Sequence, residues 1–335
     1  MENKSAYLKY GLHLAIFAGL IWAIVKYVNG QEVLKTLREF NLIYLPWMLL
    51  LALLYFLLKA LRFVLLMSPF TDSVPNSIIF KGYISGQPAT LLPGGVAARA
   101  GLMKQAGVPL AQSSVPVAFD SLWDQAFFFL GGLVAAWWFP GARLPVLVIT
   151  GVLAVIAALL LLKPARMKLG RLADRVAKHF DQEESWHSFL DSIPQMFSRT
   201  ILLGCIAITA VAFAFQIITL YLTLRGLDLS VPAPTLFLAF VLPTMLGRLV
   251  PVPGGIGVTE ASMVGFLTQA SDLNTDTAVA AVAVFRVVTI VIPALVGAIV
   301  YYTLWHGAEG ANSRNSSADN EEPHAQKTIE PAGSN

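Results

Sequence analysis

Long apolar runs alternate with short polar breaks along most of this chain. A helix that crosses a bilayer needs about 20 apolar residues to cover roughly 30 Å of hydrocarbon. Six runs meet that length: Leu8–Val28, Leu42–Leu66, Val115–Phe139, Leu144–Leu162, Ile201–Leu224 and Ala278–Trp305. Each predicts a membrane-spanning helix. Lys59 and Arg62 fall near one end of the second run, where long cationic side chains are expected to snorkel toward the headgroups. Ile201–Leu224 contains no charged residue, and Leu236–Val250 is apolar but short, with Pro243 and Gly247 inside it.

Two further stretches are apolar yet broken. Ile78–Leu110 contains Gly82, Gly86, Pro88, Pro93, Gly94, Gly95, Gly101 and Gly107, and Pro251–Ala270 contains Pro253, Gly254, Gly255, Gly257 and Gly265. Backbone groups freed by proline and glycine cannot face lipid, where each unpaired amide costs several kcal/mol; they persist only inside protein or along a wet cavity. Both stretches are therefore expected to be re-entrant or discontinuous helices within the bundle. The fold expected is an all-α polytopic membrane bundle of two pseudo-symmetric repeats, each with one broken helix, over residues 1–305.

The polar stretch Lys163–Arg199 breaks this pattern. Leu169, Leu172, Val176 and Phe180 recur at helical spacing among Arg166, Lys168, Arg171, Arg175 and Lys178, followed by Trp186, Phe189, Leu190, Ile193 and Phe197. This predicts two amphipathic helices on the membrane surface, with an ordinary polar hairpin as the alternative. The basic block 163–178 is expected on the cytoplasmic side. Residues 306–335, rich in Asn, Ser, Glu, Pro and Gly, have little to bury and are expected to be a disordered tail. The apolar run near the N-terminus is longer than a signal-peptide core and has no small-x-small cleavage site after it, so it is expected to stay as a helix.

Composition sharpens the class. Hydrophobic residues are 56% of the 335 and charged residues 13%, with mean hydropathy +0.67, against about a quarter charged in ordinary soluble domains. A net charge of +3 without a basic domain argues against a nucleic-acid partner. The single cysteine, Cys205, lies in an apolar run and is expected to be a small buried hydrophobe. The histidines His13, His179, His187, His306 and His324 are scattered without metal-ligand spacing, and no nucleotide-binding loop appears; no metal or other cofactor is expected.

The broken stretches share a motif. Leu92-Pro93-Gly94-Gly95-Val96 reappears as Val252-Pro253-Gly254-Gly255-Ile256, and each copy precedes a short helix with small residues and then a long span carrying a charge, Asp124 in one and Arg286 in the other. Matched broken segments in two halves point to a repeat-built transporter with its site between the halves. Asp120 and Asp124 share one helical face. Asp124 and Arg286 both stand about ten residues into their spans, roughly 15 Å at 1.5 Å per residue. Charges at such depth face the bundle interior and pair, so Arg286 is expected to face Asp120 or Asp124, in a functional pair or a purely structural one. Arg99, Arg248 and Glu260 flank the two motifs. Gly94, Gly95, Gly254 and Gly255 allow close approach of backbone N–H groups, the following helices aim positive dipole ends at the loops, and arginine binds phosphate in a bidentate way. An anionic lipid headgroup suits that set. Asp120, Asp124 and Glu260 are the candidates for charge balance or proton linkage, Glu260 being equally readable as a helix-dipole partner.

Leu92-Pro93-Gly94-Gly95, the later run Val250 to Glu260 (VPVPGGIGVTE), and the span with Arg286 resemble the lysylphosphatidylglycerol synthase transmembrane-region family of bacterial membrane proteins. The resemblance runs roughly from Leu8 to Trp305. In that family the first motif usually continues with Gly-Glu and then an arginine; here Ala97, Ala98 and Arg99 follow. Asp124 matches the acidic position of the next span, and Ser121 stands where an arginine is frequent. The resemblance implies translocation of a phospholipid or related lipid between leaflets, in a bacterial inner (plasma) membrane. No aminoacyltransferase domain follows Trp305, so synthesis of an aminoacyl lipid is not expected. Three readings stay open: a flippase-like transporter, a membrane enzyme acting on a lipid-linked substrate through an aspartate pair, and a non-transporting membrane subunit or regulator.

Overall fold

Among the described residues every regular element is helical, as uninterrupted apolar sequence in lipid requires. The computed structural model describes residues 30–71, 74–92, 94–138, 140, 143–144, 146–148, 150–151, 183–249, 255–271 and 273–305. The expected span Leu8–Val28, most of Leu144–Leu162, the basic block 163–178, the tail 306–335, Pro93 and Gly254 lie outside these residues. Helix α1 is Gly30–Arg38, α2 Leu45–Met67, α3 Asn76–Ser85, α4 Ala98–Gln105 and α5 Leu110–Trp138. Then come α6 (Glu183–Ser192), α7 (Arg199–Gly226), α8 (Ala233–Leu249), α9 (Val258–Ala270), α10 (Thr275–Arg286) and α11 (Ile292–Val300). A π-helical turn at Val287–Val291 joins α10 to α11, and a second follows at Tyr301–Trp305.

Among the described residues, four helical stretches are long and apolar enough to cross a membrane: Leu42–Phe70, Leu110–Trp137, Arg199–Gly226 and Thr275–Trp305. The protein is a multi-pass membrane protein. Local chemistry sets where these helices start. Ser198 Oγ accepts the Ile201 N–H at the head of α7, and Asn274 Oδ1 accepts the Thr277 N–H at the head of α10, each filling an amide that the helix leaves open. Pro46 sits in the first turn of α2, where its missing N–H costs nothing. Helix α8 runs unbroken across Pro243, so the short apolar stretch forms a single helix of 17 residues.

The broken stretch Ile78–Leu110 is α3, two 3₁₀ turns at Pro88–Leu91 and Gly95–Ala97, and then α4. Gly94 holds the bend with φ of +71°. Gly95 lies so close to the Ala89 carbonyl that a Cβ there would come 1.5 Å from its oxygen. In the second elbow, Gly255 (φ +65°) and Gly257 (φ +89°) take left-handed conformations, and Gly247 of α8 packs on Thr259 of α9.

Helix α2 lies along α7, α5 along α8, and the last span along α3. Two apolar clusters result. One gathers Phe56, Phe63, Met67, Ile79, Tyr83, Met103 and Trp305; the other gathers Phe128, Leu220, Leu236, Phe240, Met263, Leu267 and Phe285. Helix α6 and the turn after it pack inward: Phe189 and Ile193 lie against Leu66, Ile201 and Cys205. Cys205 is buried and free.

Candidate functional site

A cavity of about 320 Å³ lies among these helices. Each helix gives it one face. Tyr55, Phe56 and Lys59 come from α2; Asp120, Ser121, Asp124, Phe127 and Phe128 from α5; Thr209, Ala212, Phe213 and Gln216 from α7. Phe240, Thr244 and Arg248 come from α8, and Phe285, Arg286, Thr289, Ile290 and Pro293 from the last span. These spacings of three and four residues are the helical repeat that puts side chains on a common stripe. The first elbow adds Tyr83, Gln87, Thr90, Val96 and Arg99, and the second adds Thr259.

One wall is an ion network. Arg62, whose side chain is 0% exposed, donates from Nε and Nη2 to Asp120 Oδ1 at 2.9 and 2.6 Å, and from Nη2 to the Asp120 carbonyl at 2.7 Å. Its Nη1 donates to Thr209 Oγ1 at 2.8 Å, and that hydroxyl donates to the Cys205 carbonyl. Lys59 Nζ donates to both oxygens of Asp124 at 2.5 and 2.6 Å. Arg99 reaches Asp120 Oδ2 at 3.5 Å, donates to Gln87 Oε1 at 2.8 Å, and covers the Tyr83 ring at 3.8 Å. Arg248 stands 3.6 Å from Asp124 Oδ2 and over the Phe128 ring at 4.6 Å. Taking such charges out of water is costly, and dense pairing of this kind offsets the cost.

Arg286 corrects the sequence expectation. Its partner is Glu260: Arg286 Nε lies 2.8 Å from Glu260 Oε1, without the alignment of a donated hydrogen bond. The other Glu260 oxygen, Oε2, accepts the Gly257 N–H at the start of α9. The second elbow thus supplies the counter-ion for the last span, because Glu260 sits at the third position of α9 and faces α10. Arg286 still lines the same cavity as Asp120 and Asp124.

Lys59 and Arg62 are the second correction. They turn inward, 5% and 0% exposed, and hold the two aspartates instead of reaching toward headgroups. The sequence carried the signal: cations three apart on one span complement carboxylates four apart on another. Tyr55, Gln87, Thr209 and Gln216 are further polar groups of the cavity that charge-based reading passed over. Gln216, 7% exposed, and Thr209, 4% exposed, lie in the span that contains no charged residue. Of the predicted site residues, Arg99, Arg248, Arg286, Asp120 and Asp124 meet at the cavity, and Glu260 stands one layer behind it. Gly94, Gly95 and Gly255 shape the elbows and do not line it.

No curated protein matches the chain significantly. The family model of the lysylphosphatidylglycerol synthase TM region matches residues 11–297, covering both elbows and every helix around the cavity. The chain belongs to the lysylphosphatidylglycerol synthase TM region family.

Proposed function

We propose that the protein is a flippase-like translocase that carries the headgroup of a phospholipid or other anionic lipid between leaflets of a bacterial inner membrane. The observation that carries this reading is the cavity itself. Four cationic and two anionic side chains face one cavity of about 320 Å³, lined from four long helices, the last span and both elbows. Purely structural ion pairs would be better served by full enclosure, yet Arg248 keeps a third of its side-chain surface exposed. Arg99, Arg248 and Arg286 bind the headgroup, while Asp120, Asp124 and Glu260 balance charge around it. The acyl chains stay in lipid.

A two-repeat architecture accompanies this proposal. A long helix, a broken hairpin and a second long helix occur twice, as α2, α3–α4, α5 and as α7, α8–α9, α10–α11. The two leading helices pack on each other, and each trailing span packs on the other half's hairpin, which is what exchange about a two-fold axis produces. In this arrangement the hairpins are re-entrant, and rocking of one half against the other exposes the cavity to either leaflet. The basic block 163–178 marks the cytoplasmic side.

An enzymatic reading has less support. Acid–base work needs a carboxyl group free to exchange a proton, and each aspartate is held by three cations. The test is reconstitution into liposomes with tail-labelled fluorescent phospholipids. Faster inward and outward movement than in empty liposomes is expected; no acceleration with any anionic headgroup would overturn the proposal.

A further inference from the structure

The charges around the cavity do not balance. Lys59, Arg99, Arg248 and Arg286 line it against Asp120 and Asp124, an excess of two positive charges in the ordinary ionised forms. The layer behind, Arg62 and Glu260, leaves that excess unchanged. The carboxylates are all engaged. Asp120 Oδ1 accepts from Arg62, and its Oδ2 faces Arg99 and Lys59; both oxygens of Asp124 accept from Lys59. Glu260 caps Gly257 and adjoins Arg286. The donors show the reverse. Arg99 Nε and Arg286 Nη2 are buried with no hydrogen-bond partner among the described residues, and Arg286 Nε has only the misaligned Glu260 Oε1 beside it.

A ligand that completes this site brings about two negative charges and several acceptors, and no ammonium group. Resting on the translocase reading above, we infer that the headgroup is a lipid phosphomonoester, of the diacylglycerol or the polyprenyl type. A phosphomonoester carries about two negative charges near neutral pH and three terminal oxygens, matching both the excess charge and the open N–H groups. A phosphodiester such as phosphatidylglycerol brings one charge. An ethanolamine or aminoacyl headgroup brings a cation to a site where every carboxylate is taken. A choline headgroup likewise brings a cation to a lining whose excess charge is already positive. The volume of about 320 Å³ stands at the small end of ligand sites. It suits a compact phosphate with its chains outside.

Two measurements separate this inference from the translocase reading. In proteoliposomes, tail-labelled phosphatidic acid and polyprenyl monophosphate should each move faster than phosphatidylglycerol and faster still than phosphatidylethanolamine or phosphatidylcholine. The expected preference over the zwitterionic lipids is about tenfold or more. In detergent, short-chain phosphatidic acid should bind tighter than short-chain phosphatidylglycerol and phosphatidylcholine by a similar factor. Movement of only one phosphomonoester type assigns the source of the phosphate. Movement of all headgroups at one rate, with equal binding, would overturn the inference and leave the translocase standing. Selective binding without any movement would do the opposite. Arg286→Gln should reduce the preference of phosphatidic acid over phosphatidylglycerol. Arg248→Gln, at a more exposed position, gives the same readout if the first variant does not fold; an unchanged preference in a folded variant counts against the inference.

Discussion

Arg62 and Asp120 are locked together by three hydrogen bonds, two to one carboxylate oxygen and one to the aspartate's own carbonyl. The arginine side chain has no exposed surface. Removing one partner strands a buried charge, which typically costs about 3–5 kcal/mol. Asp120→Asn is therefore expected to lose most folded protein, read as monodisperse yield and thermal midpoint in detergent. Arg62→Lys should not restore it, because an ammonium cannot reproduce the planar fork. The double variant Arg62→Met with Asp120→Leu should regain part of the stability, since apolar replacement of a buried pair is often neutral or better, while Arg99 and Lys59 still lose Asp120 and Asp124 loses Arg62. Wild-type stability in Asp120→Asn alone would show that the pair is not needed for the fold.

Gly95 marks the tightest point of the first elbow. A Cβ there would lie 1.5 Å from the Ala89 oxygen and 2.3 Å from its carbonyl carbon, and backbone cannot swing aside as a side chain does. Gly95→Ala is expected to destabilise by about 1–3 kcal/mol or more. Gly101, inside α4, has nothing within 4 Å of its Cβ position. Gly101→Ala should be neutral or stabilising by about 0.5–1 kcal/mol, the usual gain from replacing glycine within a helix. Thermal midpoints of the two variants in detergent decide it; equal midpoints would mean that the elbow tolerates a wider approach.

The sequence made the bundle legible for a physical reason: hydrocarbon admits few backbone solutions, so long apolar runs become helices almost regardless of context. Leu45–Met67 and Arg199–Gly226 follow their runs closely. Both elbows were also legible, because proline and glycine at Leu92–Gly95 and Pro253–Gly257 rule out regular spans. Which charges pair was not. Arg286 and Asp124 stand at similar depths, but depth does not fix the direction a helix faces, and only the packed bundle turns Arg286 toward Glu260. Snorkelling of Lys59 and Arg62 was a fair expectation for an isolated helix. The pull of two carboxylates on α5 reverses it. Gln216 and Thr209 are hidden in the sequence because one glutamine and a few threonines hardly lower the mean hydropathy of so long an apolar span.

Glu260 does two things at once, accepting the Gly257 N–H and standing beside the Arg286 guanidinium. The two roles separate by substitution. Glu260→Gln keeps an acceptor for the helix-start amide and removes the charge, so its thermal midpoint should stay near wild type. Glu260→Ala also loses the cap, at a further cost of about 1 kcal/mol. Because Glu260→Gln adds one positive charge to the neighbourhood of the cavity, it should tighten binding of short-chain phosphatidic acid in detergent. Weaker binding would mean that Glu260 mainly positions Arg286.

Whether the cavity is wet can be tested on neighbouring residues of one helix. Ser121 is exposed and lines the cavity, whereas Leu122, 58% exposed, lies outside the lining. A helical step of 100° separates them, so the next position meets lipid. Thiol reagents of the methanethiosulfonate type attack the thiolate, about a tenth of a cysteine with pKa near 8.5 at pH 7.5 in water and far less in hydrocarbon. The native Cys205 is buried and should stay inert, so no cysteine-free background is needed. In proteoliposomes, Ser121→Cys is expected to react with a charged reagent while Leu122→Cys and Cys205 do not, and short-chain phosphatidic acid should slow the Ser121→Cys reaction. Equal silence at both positions would mean that this space is sealed from water, and a sealed space cannot pass a charged headgroup.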